Sequence, residues 1–61
     1  MNNILSIDYG ERYLGLAVRT VKTTIPIPLS VIDVKKVNKL KVITDYVEKY
    51  NVNLIVIGYP I

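Results

Sequence analysis

The chain has 61 residues and a formal charge of +3, and 51% of its residues are hydrophobic. This length predicts one small domain, with too little material for a multidomain enzyme. Cysteine and histidine are both absent from the sequence, so disulfides, thiolate metal sites and histidine acid-base catalysis are excluded. Any chemistry must therefore use carboxylates, hydroxyls, lysine and arginine.

The first predicted elements form a β-hairpin. Ile4–Ile7 is a short apolar run of strand-forming residues that ends at Asp8–Gly10, where glycine permits a turn. Tyr13–Arg19 carries apolar residues at every second position, so it predicts a second strand paired with the first. Gly15 and Ala17 would share its other face and leave room for a packed helix or a ligand.

The rest of the chain predicts an edge strand, a helix and a buried strand. Thr23–Val34 contains two prolines, which lack a ladder donor and favour an extended segment at a sheet edge. Val37–Tyr50 has apolar residues three or four positions apart and predicts an amphipathic helix. Leu54–Ile57 is uniformly apolar, which is typical of a strand buried on both faces beside a parallel neighbour.

This order predicts an α/β domain, with three mainly antiparallel strands in a β-β-β-α-β sequence and a βαβ crossover. The last strand would lie parallel to the first. Two turn segments, Asp8–Gly10 and Gly58–Pro60, would then meet at the carboxyl ends of these parallel strands. Ligands gather at such edges, so we expect the functional site there.

Three motifs in this order resemble the YqgF/RuvX family of RNase H-like proteins, described as Holliday junction resolvases or pre-16S rRNA nucleases. Asp8–Gly10 matches the family's D-x-G opening, and Gly15–Val18 matches its second strand. Gly58 and Pro60 match the G-x-P after its fourth strand. The resemblance covers nearly the whole chain and implies a mixed-sheet, RNase H-like half-domain over residues 1–61 that ends after the fourth strand.

The resemblance implies a metal-dependent nuclease in which Asp8 is the catalytic, metal-binding carboxylate for Mg²⁺ or Mn²⁺. The family's other acidic site residues lie beyond the G-x-P segment, and clustered carboxylates are needed to hold such ions. We therefore expect the 61-residue chain to be inactive by itself. The implied substrate is nucleic acid, either a DNA junction or precursor rRNA.

Four further residues are weaker candidates for nucleic-acid contacts: Tyr9, Gly10, Arg12 and Tyr59. The family usually has threonine and a basic pair after D-x-G, whereas this chain has Glu11 and Arg12, so only one basic residue remains there. Each candidate also has a structural interpretation. Arginine on a hairpin is commonly a solvated charge, and Asp8 itself could be a turn acceptor. Pairing of Glu11 with Asp8 at a metal is the less favoured interpretation.

The lysines and the remaining tyrosines favour structural roles. A basic cluster at the helix start is interpreted first as a solvated face rather than a phosphate track: Lys35, Lys36, Lys39 and Lys41. Tyr46 and Tyr50 have helical spacing and are expected to pack at the core margin.

Two other function classes stay open. An ATP-binding domain of the actin, sugar-kinase and Hsp70 type shares the D-x-G hairpin, although acidic Glu11 would repel a triphosphate. A non-catalytic self-associating module is favoured by the short, apolar chain. We expect a cytoplasmic protein without a membrane segment, partnered by nucleic acid, by a second copy or by a missing C-terminal half.

Overall fold

The computed structural model describes residues 2–23 and 25–59. The elements in chain order are β1 (Ile4–Tyr9), β2 (Tyr13–Arg19), β3 (Ile27–Asp33), α1 (Lys39–Lys49) and β4 (Leu54–Gly58). The four strands form one sheet in the order β3-β2-β1-β4. β1 and β3 are antiparallel to β2, whereas β4 is parallel to β1. The predicted α/β class and mixed sheet are confirmed.

The first hairpin contains a longer β1 than the sequence predicts. β2 has the predicted bounds, but β1 continues through Asp8 and Tyr9 instead of ending at Ile7. Asp8 pairs with Gly15 and Tyr9 pairs with Leu14, so both residues satisfy the antiparallel ladder. Asp8 therefore lies inside a strand, and its interpretation as a turn acceptor is wrong.

One face of the sheet forms the core. Buried residues at alternate strand positions make one cluster: Leu5, Ile7, Leu14, Leu16 and Ile32. The apolar side of α1 packs against this cluster through Val42, Ile43, Tyr46 and Val47. The alternating apolar residues of the hairpin therefore face the apolar side of the helix, as expected for a two-layer α/β unit.

The helix and the edge strand β3 are shorter than predicted. Asn38 caps α1 because its side-chain oxygen accepts hydrogen bonds from the amides of Leu40 and Lys41. β3 begins after Pro26, and Pro28 pairs with Ala17 beside a register shift. Both prolines lie at or near the edge of the sheet, in agreement with the sequence pattern.

β4 is parallel to β1, as predicted, but it is not buried on both faces. Leu54, Ile55, Val56 and Ile57 are 43%, 44%, 49% and 47% exposed. β4 is the last strand of the sheet and has β1 as its neighbour on one side. Apolar composition alone does not distinguish an edge strand from a central one, which explains the error.

Two remaining sequence features concern the ends of the chain and its relation to membranes. Pro60 lies outside the described residues, so its part in the G-x-P motif stays a prediction. Across the ranges 2–23 and 25–59, no helix is both long and apolar enough to cross a membrane.

Candidate functional site

Asp8 lies on the face of the sheet that is opposite α1. Asp8 pairs with Gly15 on β2 and with Gly58 on β4, and Gly15 pairs in turn with Val31 on β3. A Cβ atom on Gly15 would lie 3.6 Å from the Cβ of Asp8. Because both flanking residues are glycines, no side chain covers the carboxylate from either neighbouring strand. Asp8 is accordingly exposed.

Two adjoining depressions open around Asp8. The first has a volume of about 350 Å³ and extends along the sheet past Ser6 and Pro28. The second, of about 330 Å³, extends over the hairpin turn to Tyr13. Asp8, Gly15 and Val31 line both depressions. Asp8 is thus the carboxylate at the centre of one open, mostly apolar groove.

The described residues do not by themselves form a site for a catalytic divalent cation. Mg²⁺ and Mn²⁺ are held by several oxygen ligands, commonly more than one carboxylate. Within the part of the chain that the structure describes, no group of three or more acidic side chains is placed to hold a metal ion. Glu11 lines a separate depression with Tyr9 and Tyr59. Asp8 can therefore supply one ligand of such a site, not the whole of it.

Arg12 is engaged in an ion pair at the hairpin turn. Its Nε and Nη2 donate to Oδ2 of Asp33 at 3.1 and 3.0 Å. The other oxygen of Asp33, Oδ1, accepts a hydrogen bond from the amide of Lys35 at 2.9 Å. This arrangement ties the β1–β2 turn to the end of β3. A nucleic-acid contact by Arg12 stays a prediction, and such a contact would use a side chain whose donor fork already binds a carboxylate.

Gly10 has a structural role in the same turn. Its amide donates to the carbonyl oxygen of Tyr13 at 3.0 Å. A Cβ on Gly10 would lie 2.8 Å from that oxygen, which is closer than real Cβ atoms approach. The glycine is required by this close backbone approach, and a direct contact of Gly10 with nucleic acid stays a prediction.

The structure brings Tyr9 and Tyr59 together at the carboxyl edge of the sheet. Their ring centroids are 5.5 Å apart, and the rings are inclined by 41°. Lys39, at the start of α1, donates from Nζ to the hydroxyl of Tyr9 at 3.1 Å. The sequence pattern predicts a solvated cluster for Lys39 and gives no sign of this contact. Only the helical register and the docking of α1 onto the sheet bring the two residues together.

The chain matches a known family over almost its whole length. The family described as RuvX: Holliday junction resolvase matches residues 2–61. A protein of Dictyoglomus turgidum named "Putative pre-16S rRNA nuclease" is 42% identical over 62 residues, with 95% of this chain and 42% of the relative covered. No solved structure gives a significant match.

Two further relatives carry the same printed name. The protein of Rickettsia akari is 43% identical over 61 residues, with 95% of this chain and 38% of the relative covered. That of Orientia tsutsugamushi is 35% identical over 57 residues, with 93% and 36% covered. The chain thus spans roughly two fifths of the length of these curated relatives. By its sequence, the chain belongs to the RuvX family.

Proposed function

We propose that this chain is the amino-terminal part of an RNase H-like nuclease and that Asp8 is one of its catalytic carboxylates. The observation that carries the proposal is the exposed position of Asp8 between two glycines, at the centre of an open groove at the carboxyl ends of β1 and β4. Family membership over residues 2–61 supports it.

The chemistry of phosphodiester cleavage explains why one carboxylate needs partners. A bound Mg²⁺ or Mn²⁺ ion would activate water and neutralise charge on the phosphate. Asp8 would provide one ligand to that ion, and further carboxylates would come from the part of the relatives' length that this chain does not span. The chain alone is then expected to bind such ions weakly and to cleave nothing.

The proposed substrate is structured nucleic acid. The family description names a Holliday junction, which is branched DNA, whereas the curated relatives are named for precursor rRNA. The groove beside Asp8 is open along the sheet and mostly apolar, which favours neither substrate over the other. DNA and RNA should therefore be compared directly in the assay.

Cation binding tests the role of Asp8 without requiring activity. Paramagnetic Mn²⁺ is added to the 61-residue chain, and broadening of backbone amide signals is followed by NMR. We expect the signals of Asp8, Gly15 and Gly58 to broaden first, and this effect to disappear in Asp8→Asn. The matched control is Asp45→Asn, since Asp45 is an exposed carboxylate that pairs with Lys41 on α1. If these signals broaden equally in the wild type and in Asp8→Asn, the proposal is contradicted.

Cleavage tests the activity in a longer protein. Residues 2–61 replace the matching segment of the Dictyoglomus turgidum relative, and the chimera is given a labelled four-way DNA junction or a precursor rRNA leader with Mg²⁺ or EDTA. We expect Mg²⁺-dependent cleavage that falls by at least about a hundredfold in Asp8→Asn, because a single ligand loss disrupts the ion's position. A folded Asp8→Asn chimera that cuts as well as the unsubstituted chimera would overturn the assignment.

A further inference from the structure

A second cluster of groups that could bind a ligand lies at the edge of the sheet, on the side that faces α1. It consists of Tyr9, Tyr59 and Lys39, and we refer to it as the Tyr9 cluster. Tyr59 is 68% exposed, so one face of its ring is open to solvent. A depression of about 260 Å³ lies between the two tyrosines and the hairpin turn.

The ammonium of Lys39 is positioned by the cluster. Its Nζ lies 3.1 Å from the hydroxyl oxygen of Tyr9 and 5.3 Å from the centroid of the same ring, so it sits beside the hydroxyl rather than over the ring face. A lysine ammonium has three donors, and this contact uses one of them. In the described ranges, the two ion pairs are Arg12–Asp33 and Lys41–Asp45, and neither includes Lys39. Lys39 can therefore bind an external anion.

The hydroxyl of Tyr9 can also donate a hydrogen bond to an anion. Because its oxygen accepts the hydrogen bond from Lys39, its own proton can be donated outward. An ammonium, a hydroxyl donor and an exposed aromatic ring thus lie within one cluster. Phosphate is an anion that such donors bind, and a nucleic-acid base is a group that stacks on an open ring.

The Tyr9 cluster adjoins the groove at Asp8. Tyr9 follows Asp8 directly, with Cα atoms about 3.8 Å apart, and the two side chains project to opposite faces of the strand. Tyr9 and Gly10 line both the depression beside Tyr59 and the one that contains Asp8. The two depressions are therefore adjacent at the hairpin turn, at the edge of the sheet.

We propose that the Tyr9 cluster is a binding subsite for one unpaired nucleotide, with the base stacked on Tyr59 and the phosphate held by Lys39 and the hydroxyl of Tyr9. This proposal rests on the proposed nucleic-acid function. It specifies the substrate further, as nucleic acid with an unpaired nucleotide next to the phosphodiester at Asp8. A strand that crosses the turn would pass from this subsite into the groove. Glu11 also borders the depression, and its charge weakens phosphate binding.

Fluorescence anisotropy with labelled oligodeoxyuridine and oligouridine, which differ only in the 2′-hydroxyl, tests the subsite on the 61-residue chain. EDTA is present, so no cation contributes. We expect Tyr59→Ala to weaken binding roughly tenfold, whereas Tyr59→Phe keeps the ring and stays within about twofold of the wild type. Because Tyr59 is largely exposed, Tyr59→Ala should fold normally, which circular dichroism checks.

The phosphate contact has its own readout. The logarithm of single-strand affinity falls with the logarithm of salt concentration by about 0.7 for each phosphate contact, so Lys39→Met should reduce this slope by about 0.7. Lys49→Met is the matched control, since Lys49 stands at the opposite end of α1 from Lys39, with its ammonium 5.4 Å from the ring of Tyr50. Its loss should leave Tyr59-dependent binding unchanged. Glu11→Gln should tighten binding, because it removes a negative charge beside the phosphate.

The outcomes separate this subsite from the proposed catalytic role. Oligomer binding that falls in Tyr59→Ala and is weaker for a blunt duplex supports the subsite, and the ratio of the two oligomers shows which sugar it prefers. Equal binding by wild type and Tyr59→Ala, or no binding at all, overturns it even if Asp8 binds Mn²⁺. In EDTA, Asp8→Asn should not weaken binding, so a failed cation or cleavage assay counts against the role of Asp8 alone.

Discussion

The amide of Gly10 donates a 3.0 Å hydrogen bond to the carbonyl oxygen of Tyr13, and a Cβ on Gly10 would lie only 2.8 Å from that oxygen. Both atoms belong to the backbone, so neither can move without opening the turn. This contact sets the direction in which β1 and β2 leave the turn, and thereby the places of Tyr9 and Asp8 at the edge of the sheet.

Gly10→Ala should therefore destabilise the chain. Forcing a methyl group into a closely packed position costs about 1–3 kcal/mol, and we expect the free energy of unfolding to fall by that amount in urea denaturation. Gly15→Ala is the control, because its Cβ would lie at an ordinary 3.6 Å from that of Asp8. Equal stability of the two variants would show that the turn relaxes without loss.

The ion pair between Arg12 and Asp33 should contribute modestly to stability. The side chain of Arg12 is 49% exposed and that of Asp33 is 14% exposed, so solvent screens part of the attraction and a coupling of about 0.5–1 kcal/mol is expected. A double-mutant cycle with Arg12→Ala and Asp33→Ala measures it. Asp33→Ala should be the more costly single change, because it also removes the acceptor of the Lys35 amide. A coupling of zero would contradict the expected contribution of this ion pair to stability.

The hydroxyls of Ser30 and Tyr46 form a hydrogen bond of 3.2 Å between the sheet and α1. Tyr46→Phe and Ser30→Ala should each reduce the free energy of unfolding by about 0.5–1.5 kcal/mol, because each removes one hydroxyl and leaves the other, half-buried hydroxyl without this hydrogen bond. The double variant should lose less than the sum of the two. Thermal unfolding followed by circular dichroism gives the comparison, and strict additivity would argue against the contact.

Asn38 should be needed for helix stability. Asn38→Ala removes the acceptor for the amides of Leu40 and Lys41, and the expected cost is about 1 kcal/mol. Asn38→Ser retains a capping oxygen and should stay within a few tenths of a kcal/mol of the wild type. Helical ellipticity and the urea midpoint report the effect, and equal losses in both variants would show that the cap is not its cause.

The exposed edge of β4 should make the 61-residue chain associate with a second copy. Its four apolar residues, Leu54–Ile57, are uncharged and almost half exposed, and an open strand edge offers backbone donors and acceptors for pairing. Light scattering should show a mass that rises with concentration. Val56→Lys places like charges near each other across paired copies and should restore the monomer. A wild-type mass that is independent of concentration would exclude this association.

Much of the fold follows from local patterns in the chain. Alternation in Tyr13–Arg19 predicts β2 with its observed bounds, and the spacing of apolar residues between Val37 and Tyr50 predicts α1 to within two residues at its start and one at its end. The motifs around Asp8, Gly15 and Gly58 indicate the family that the comparisons confirm. These features depend on residue type and spacing, which are properties of the sequence itself.

The errors come from features that depend on neighbours in space. β1 extends through Asp8 because Gly15 and Gly58 pair with it, and β4 is exposed because it has a single neighbouring strand. Neither fact can be read from a run of apolar residues, since burial depends on which other elements cover a strand. The sequence pattern for β4 predicts a strand but not how much of it is covered.

In the candidate site too, the sequence determines some features and the tertiary structure determines others. The sequence by itself determined that Asp8 stands at the carboxyl end of β1 and that Tyr9, Tyr59 and the hairpin turn gather at that edge, because strand direction follows from element order. Tertiary structure alone decided that glycines leave Asp8 open on one face, that Arg12 pairs with Asp33, and that Lys39 reaches the hydroxyl of Tyr9. Such contacts join residues distant in the chain, and their distances are fixed only when the helix and strands pack.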